Sequence, residues 1–239
     1  MTLFWTRTWD ALASALFPTA CVTCGELISA NDPPLCPECW GRIPLVDGPV
    51  CRCGSPRPGF AGEACGRCRR GRSPILEGGV LGIYAGSLRD CVVALKYRRR
   101  HRTAARLAHR LREDGRCREI LDASDVVVGV PLHPDRAKAR GFNQAELLAS
   151  ALAREAALPI SHGLIRTRNT PSQTDLSARA RRLNVQNAFA VLPGSDLGGV
   201  AVVLVDDVMT TGATLRACAS TLLAAGTREV RSLAVARAE

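Results

Sequence analysis

A chain of 239 residues that is 46% hydrophobic and 23% charged carries enough apolar side chains for a buried core, which excludes a disordered or fibrous chain. No apolar run reaches the roughly 20 residues that a membrane-spanning helix needs. The formal net charge of +10 makes nucleotides or nucleic acid the natural class of partner without choosing between them. Lys96 and Lys138 are the only lysines, so the excess is arginine, which suits bidentate phosphate contacts; a GC-rich genome produces the same bias with no functional meaning.

Residues 1–20 contain Leu3, Phe4, Trp5, Leu12, Leu16 and Phe17, but Asp10 and Pro18 interrupt any export signal. Trp5, Trp9, Leu12 and Leu16 fall on one helical face, which predicts an amphipathic helix docked on the body of the protein, with a membrane-surface helix as the alternative.

Residues 21–68 hold eight of the 11 cysteines, as Cys21/Cys24, Cys36/Cys39, Cys51/Cys53 and Cys65/Cys68, and successive pairs are separated by the same interval of 12. Gly25, Pro37, Gly54 and Gly66 sit beside them. Paired cysteines on tight turns, two pairs to an ion, describe four-cysteine tetrahedral zinc sites, and two ions are the simplest count. Metal would here substitute for a core, because large apolar residues are few. A disulfide framework and a rubredoxin-like iron site are the rivals, and the lack of an export signal argues against the first. Spacing does not say which pairs share an ion. Cys51-Arg52-Cys53 has one intervening residue where the other pairs have two, and this tighter chelate is expected to weaken or reshape one site. Cys91, Cys117 and Cys218 stand alone and read as buried small residues.

Residues 69–75 form a basic, Gly/Pro-marked hinge in which Arg69, Arg70 and Arg72, with Arg67 before them, read as solvated linker or nucleic-acid contacts. A strand is expected from Val80 and a helix over 88–97 that delivers Lys96. The cluster Arg98, Arg99, Arg100, His101 and Arg102 beside Tyr97 suits single-stranded nucleic acid, the border of an anion pocket, or plain surface. Ala104, Leu107, Ala108 and Leu111 repeat at helical spacing. Val126 to Val130 reads as a buried strand that runs into a loop bearing His133, Arg136, Lys138 and Arg140, cations fit for a pyrophosphate. A helix follows from Asn143 to Ala157, stopped by Pro159. Residues 164–190 are arginine-rich and weakly periodic, which predicts a mobile flap or hairpin closing Gln173, Arg179, Arg182 and Asn184 over a site.

Val200 to Val205 is an unbroken, β-branched run that suits a strand buried on both faces. Asp206 and Asp207 stand at its carboxyl end, where open α/β sheets bind ligands. Thr210, Thr211, Gly212, Ala213 and Thr214 then form a hydroxyl-rich turn into a helix that Gly226 is placed to end. Backbone N–H groups at such a turn attract phosphate, and the two carboxylates fit sugar hydroxyls or a water-bridged Mg²⁺. The stretch asks for a phosphorylated ribose.

D-D-V-M-T-T-G-A-T resembles the phosphoribosyl-pyrophosphate (PRPP) signature of type I phosphoribosyltransferases. That resemblance implies that Asp206 and Asp207 hold the ribose, and that the stretch Val208, Met209, Thr210, Thr211, Gly212, Ala213 and Thr214 binds PRPP around its 5′-phosphate. Together with the cysteine pairs, L-K-Y at 95–97, V-P-L at 130–132, R-G-F-N-Q at 140–144, Q-T at 173–174, R-x-x-N at 181–184 and A-F at 188–189, it makes the chain similar to the ComF family. The shortened Cys51/Cys53 pair is the one departure. The resemblance implies an α/β fold: a parallel sheet flanked by helices, of the type I phosphoribosyltransferase kind, with a small N-terminal double zinc ribbon. The expected divisions are an N-terminal helix over 1–20, ribbons over 21–72 and a phosphoribosyltransferase domain over 73–239. Arg136, Lys138 and Arg140 would lie near pyrophosphate. The implied function is a cytoplasmic transfer of phosphoribose to an unidentified acceptor, with structural zinc, Mg²⁺ and a link to DNA uptake in natural transformation. The alternative is a non-catalytic PRPP-binding protein that handles single-stranded DNA or docks to competence proteins such as a DNA-uptake helicase.

Overall fold

The computed structural model describes residues 19–29, 34–46, 50–55, 64–71, 73–95, 100–168 and 187–238. The cysteine-rich part holds two short strands, β1 (Thr19–Ala20) and β2 (Leu27–Ile28), and two short helices, α1 (Pro37–Gly41) and α2 (Gly66–Arg69). Strand and helix then alternate: β3 (Gly78–Ile83), α3 (Gly86–Leu95), α4 (Arg100–Glu113), α5 (Gly115–Asp122), β4 (Val126–Gly129), α6 (Pro134–Arg140), α7 (Gln144–Ala156), β5 (Ile160–Ser161), β6 (Leu164–Arg166), β7 (Phe189–Val191), β8 (Ala201–Met209), α8 (Ala213–Ala224) and β9 (Glu229–Arg237).

Strands β3, β9, β8, β4 and β5 lie side by side in that order, every pair parallel. The sequence explains the centre of this sheet. Val202, Val203, Leu204 and Val205 have no exposed surface, because β-branched and aliphatic side chains alternate into two separate cores. On one face Val203 and Val205 pack with Leu88, Leu107, Leu111 and Leu148 from α3, α4 and α7. On the other, Val202 and Leu204 pack with Leu215, Cys218 and Leu222 of α8 and with Leu164 and Phe189 of the β6–β7 pair. Each such leucine contributes about 1.5–3 kcal/mol through burial.

Several local expectations are borne out. Ala104, Leu107, Ala108 and Leu111 form the buried stripe of α4, and Gly226, at φ +96°, follows the end of α8. Two readings change. The stretch after His133, expected as a loop, is the helix α6. Pro134 occupies its first turn, where a missing N–H costs nothing; the His133 Nδ1 accepts from the Asp135 N–H at 3.2 Å; Gly141 closes it in the left-handed region at φ +80°. Strand β8 runs beyond Val205 to Met209, because β9 is equally long and pairs with it through Arg237. Helix α5, capped by the Asp114 carboxylate on the Cys117 N–H at 2.9 Å, was not anticipated.

The ribbons cover the exposed edge of β3. The Val46 N–H donates to the Leu81 carbonyl at 3.1 Å, the Ile83 N–H to Pro44 at 2.8 Å and the Gly78 N–H to Arg52 at 2.6 Å. Glycine permits this approach: a Cβ on Gly78 would lie 2.7 Å from the backbone carbonyl of Cys53, and one on Gly82 would strike the Pro44 carbonyl. Arg116 staples the junction, with Nε donating to the Gly78 carbonyl at 3.1 Å and Nη2 to the Cys51 carbonyl at 3.3 Å. Trp40 of α1 lies 5.2 Å from the Arg106 guanidinium of α4. Edge strands invite unwanted pairing, and here the ribbon occupies the edge. The expected helix before Pro18, Lys96 to Arg99, and Gln173, Arg179, Arg182 and Asn184 lie outside the described residues. At the two ends of that last stretch, β6 and β7 form an antiparallel pair.

Candidate metal centres and carboxyl-edge site

Each pair of cysteines sits at a tight turn that leaves its sulfurs facing the next pair. Gly25 and Gly54, in the left-handed region at φ +79° and +77°, turn the chain after Cys24 and Cys53. Cys36 and Cys65 cap the short helices α1 and α2, which carry Cys39 and Cys68 one turn on. The result is two clusters, Cys21, Cys24, Cys36 and Cys39, and Cys51, Cys53, Cys65 and Cys68, whose sulfurs within each cluster all lie within 4.8 Å of one another. Two thiolates at about 2.3 Å from one tetrahedral ion are about 3.8 Å apart. Observed separations are 3.7 Å for Cys24–Cys36, 3.6 Å for Cys51–Cys53 and 3.8 Å for Cys53–Cys65. The donor set therefore fits zinc. The pairing left open by spacing follows chain order, and the shortened Cys51/Cys53 pair joins Cys65 and Cys68 in a cluster of its own.

Backbone donors prepare the first cluster. The Cys36 N–H reaches the Cys21 sulfur at 3.3 Å and the Cys39 N–H reaches the Cys36 sulfur at 3.5 Å. Burial pushes the Cys21 thiol up, but backbone N–H groups of Cys24, Cys36 and Thr23 outweigh it and bring it down to about 6. Burial and the neighbouring sulfurs push Cys39 and Cys68 up to about 12. A divalent cation between the sulfurs would favour their thiolate forms, which is the charge that zinc supplies in such a site.

The second site lies at the carboxyl edge of the sheet. Strand β8 delivers Asp206 and Asp207, both half-buried. One oxygen of Asp206 accepts from the Asp207 N–H at 2.9 Å, and one of Asp207 from the Val208 N–H at 2.9 Å, which orients both carboxylates. Burial, then the Asp206 charge, holds the fully buried Cys218 thiol of α8 well above its usual range, while Arg166 of β6 opposes them. Val208 packs against one core and Met209, 5% exposed, sits in the other beneath the turn. The turn Thr210–Gly212 then enters α8 through Gly212 at φ +66°. The Thr211 hydroxyl is buried with no hydrogen-bond partner among the described residues. A buried, unpaired donor beside a helix N-terminus is where an anion would complete the structure.

Strand β4 ends beside β8, Gly129 opposite Val205. The Val130 N–H donates to the Val205 carbonyl at 2.9 Å, and the chain then leaves through Pro131, Leu132 and His133 into α6. Lys138 and Arg140 stand exposed on α6; Arg136 lies on the same helix, its side chain outside the described residues. Two residues were not singled out by sequence reasoning. The Arg216 guanidinium, in the first turn of α8, lies 2.9 Å from where a Cβ on Gly212 would be, so a cation overhangs the turn. Asn143, read only as a helix start, bonds to both Val130 and Ala145. Its sequence signal was the pattern Asn143-x-x-Glu146 before an apolar run, a capping box.

The chain has clear relatives. It is 31% identical over 228 residues to "Competence protein F" of Haemophilus influenzae, covering 93% of this chain and 98% of the relative. It belongs to the ComF family. Residues 12–69 match the double zinc ribbon domain family and residues 139–239 the phosphoribosyl transferase domain family. "DNA utilization protein YhgH" of Escherichia coli K12 is 34% identical over 220 residues, 90% of this chain and 95% of its own. "Competence protein ComFC" of Bacillus subtilis is 30% identical over 203 residues, 82% and 80%. The parallel sheet flanked by helices is thus the ComF phosphoribosyltransferase-like fold, and the two cysteine clusters are its zinc ribbons. Among the described residues no helix is long and apolar enough to cross a membrane.

Proposed function

We propose that this ComF protein binds PRPP at the carboxyl edge of β4 and β8 and transfers phosphoribose to an acceptor with release of pyrophosphate. The observation that carries the reading is the continuous run of two backbone-oriented carboxylates, Asp206 and Asp207, and a turn whose Thr211 hydroxyl is buried without a partner. The turn from Thr210 to Thr214 would hold the 5′-phosphate through backbone N–H groups and hydroxyls, with the Arg216 guanidinium above it. Asp206 and Asp207 would take the ribose hydroxyls. Arg136, Lys138 and Arg140 would face the pyrophosphate. Asp206 and Asp207 are also the groups that would hold Mg²⁺ through water, which when bound supplies charge screening of the pyrophosphate.

In the reaction the bond from ribose C1 to the pyrophosphate oxygen breaks and one from C1 to the acceptor forms. Positive charge develops on the ribose in between. The chain's contribution is to fix the diol, neutralise the leaving group and position the acceptor, with no covalent protein intermediate. Titration of PRPP with Mg²⁺ into the zinc-loaded protein, with Asp206→Ala/Asp207→Ala as control, tests the site. Binding lost in the double variant supports it, and absence of binding by folded wild-type protein refutes it. A screen of acceptors for pyrophosphate release tests turnover.

The relatives' names, a competence protein and a DNA utilization protein, favour a second reading in which the same site binds PRPP without turnover and the protein serves DNA uptake. That reading predicts affinity for single-stranded DNA that falls steeply with salt.

A further inference from the structure

The stretch R-G-F-N-Q at 140–144 joins α6 to α7. Its Arg140 ends α6 and Gly141 closes that helix, its N–H donating to the Ala137 carbonyl at 2.7 Å. Asn143 is 8% exposed and uses both ends of its amide. Its Oδ1 accepts from the Ala145 N–H at 3.1 Å and so caps α7. Its Nδ2 donates to the Val130 carbonyl at 3.0 Å.

Val130 is thereby held from both sides. Its N–H is tied to Val205, the residue before Asp206, and its carbonyl to Asn143. The chain between these two points, residues 131–142, is an excursion from the sheet edge that contains His133 and the whole of α6. Asn143 closes that excursion at its base. The third member of the junction is Gly129, where a Cβ would lie 2.9 Å from the Glu146 Cα, so α7 rests directly on the end of β4. The geometry fixes where residues 131–133 leave the sheet relative to Asp206.

We infer that Asn143 is a positioning residue for the pyrophosphate half of the PRPP site: its Nδ2–Val130 hydrogen bond sets the segment 131–140 against the Asp206–Thr214 half. This rests on the reading of the site as a PRPP site. Asparagine is the side chain that suits the place. It donates and accepts at the ends of one short, neutral group. Serine caps a helix comparably, but its single O–H stands one bond shorter than the asparagine Nδ2 and falls short of the Val130 carbonyl. The pin therefore separates from the cap.

The test compares zinc-loaded wild-type protein with Asn143→Ser, titrating PRPP with Mg²⁺ and, separately, ribose 5-phosphate. Ribose 5-phosphate engages the β8–α8 turn and has no pyrophosphate. Expected is about tenfold weaker PRPP binding in the variant, the scale of one lost neutral hydrogen bond. Ribose 5-phosphate affinity should stay within about twofold, and the melting temperature should fall by a few degrees, because the buried Val130 carbonyl loses its partner while the cap persists. Equal loss for both ligands, or no loss for either, overturns the inference and leaves the PRPP site standing. A wild-type protein that binds neither ligand overturns the site reading, and the inference with it. Should Asn143→Ser fail to fold, Asn143→Thr, which also caps and adds no charge, is measured in its place.

Discussion

Thr211→Val separates the structural cost of a buried hydroxyl from its proposed use in binding phosphate. The Thr211 hydroxyl is buried and unpartnered, and leaving a hydroxyl in that condition costs about 1–3 kcal/mol. Valine keeps the branched shape and removes the polar atom. The residue as a whole is half-buried, so the low end applies. The ligand-free variant should gain about 1 kcal/mol, a rise of about 2–4 °C in Tm for a chain of this size. PRPP binding should move the other way. A hydrogen bond to a charged phosphate is worth about 1.5–3 kcal/mol, so Kd should rise about 10- to 150-fold. Thermal unfolding with and without PRPP and Mg²⁺, together with calorimetric titration, reads both signs in one preparation. A lower Tm in the ligand-free variant would mean that the hydroxyl serves the fold. Unchanged PRPP affinity would remove Thr211 from the phosphate site.

Metal analysis of the purified protein should find two zinc ions per chain, one for each four-cysteine cluster; one ion would mean that one of the two clusters is not a zinc site. Gly78→Ala would place a methyl group 2.7 Å from the Cys53 backbone, which cannot rotate away, so the ribbon must shift on β3. The expected cost is about 1–3 kcal/mol, visible as lowered Tm and faster proteolysis between the ribbon and the sheet; wild-type stability would mean the edge pairing is loose. Cys91, Cys117 and Cys218 have no exposed surface, and burial pushes the Cys91 thiol up to about 12 and the other two higher than their usual 9.0. The zinc-loaded protein should therefore leave these three thiols unreactive to a thiol reagent until it unfolds. Because these thiols titrate higher in the folded state than in the unfolded one, their contribution is complete below pH about 9 and declines as pH rises through the folded values. Stability that increased above pH 9 would contradict their burial.

What the amino-acid sequence determined by itself is local. The apolar run before Asp206 declares a strand buried on both faces, Thr210 to Thr214 declares a turn into a helix, and the four cysteine pairs declare metal, because each signal is complete within a few neighbouring residues. The basic stretch misread as a loop shows the limit at that scale: Pro134 and Gly141 are helix punctuation as much as loop punctuation, and His133 capping was not legible. What only the tertiary structure decided depends on groups distant in the chain. The Cys53 turn meets Gly78, Arg116 reaches the Cys51 carbonyl, and Asn143 reaches back to Val130. Glycine and asparagine announce permissiveness in sequence, but the backbone that fills the space beside them comes from another part of the fold. The base of the segment that carries Arg136, Lys138 and Arg140 is set by that packing, since the contact of Asn143 with Val130 exists only once α7 lies against the end of β4.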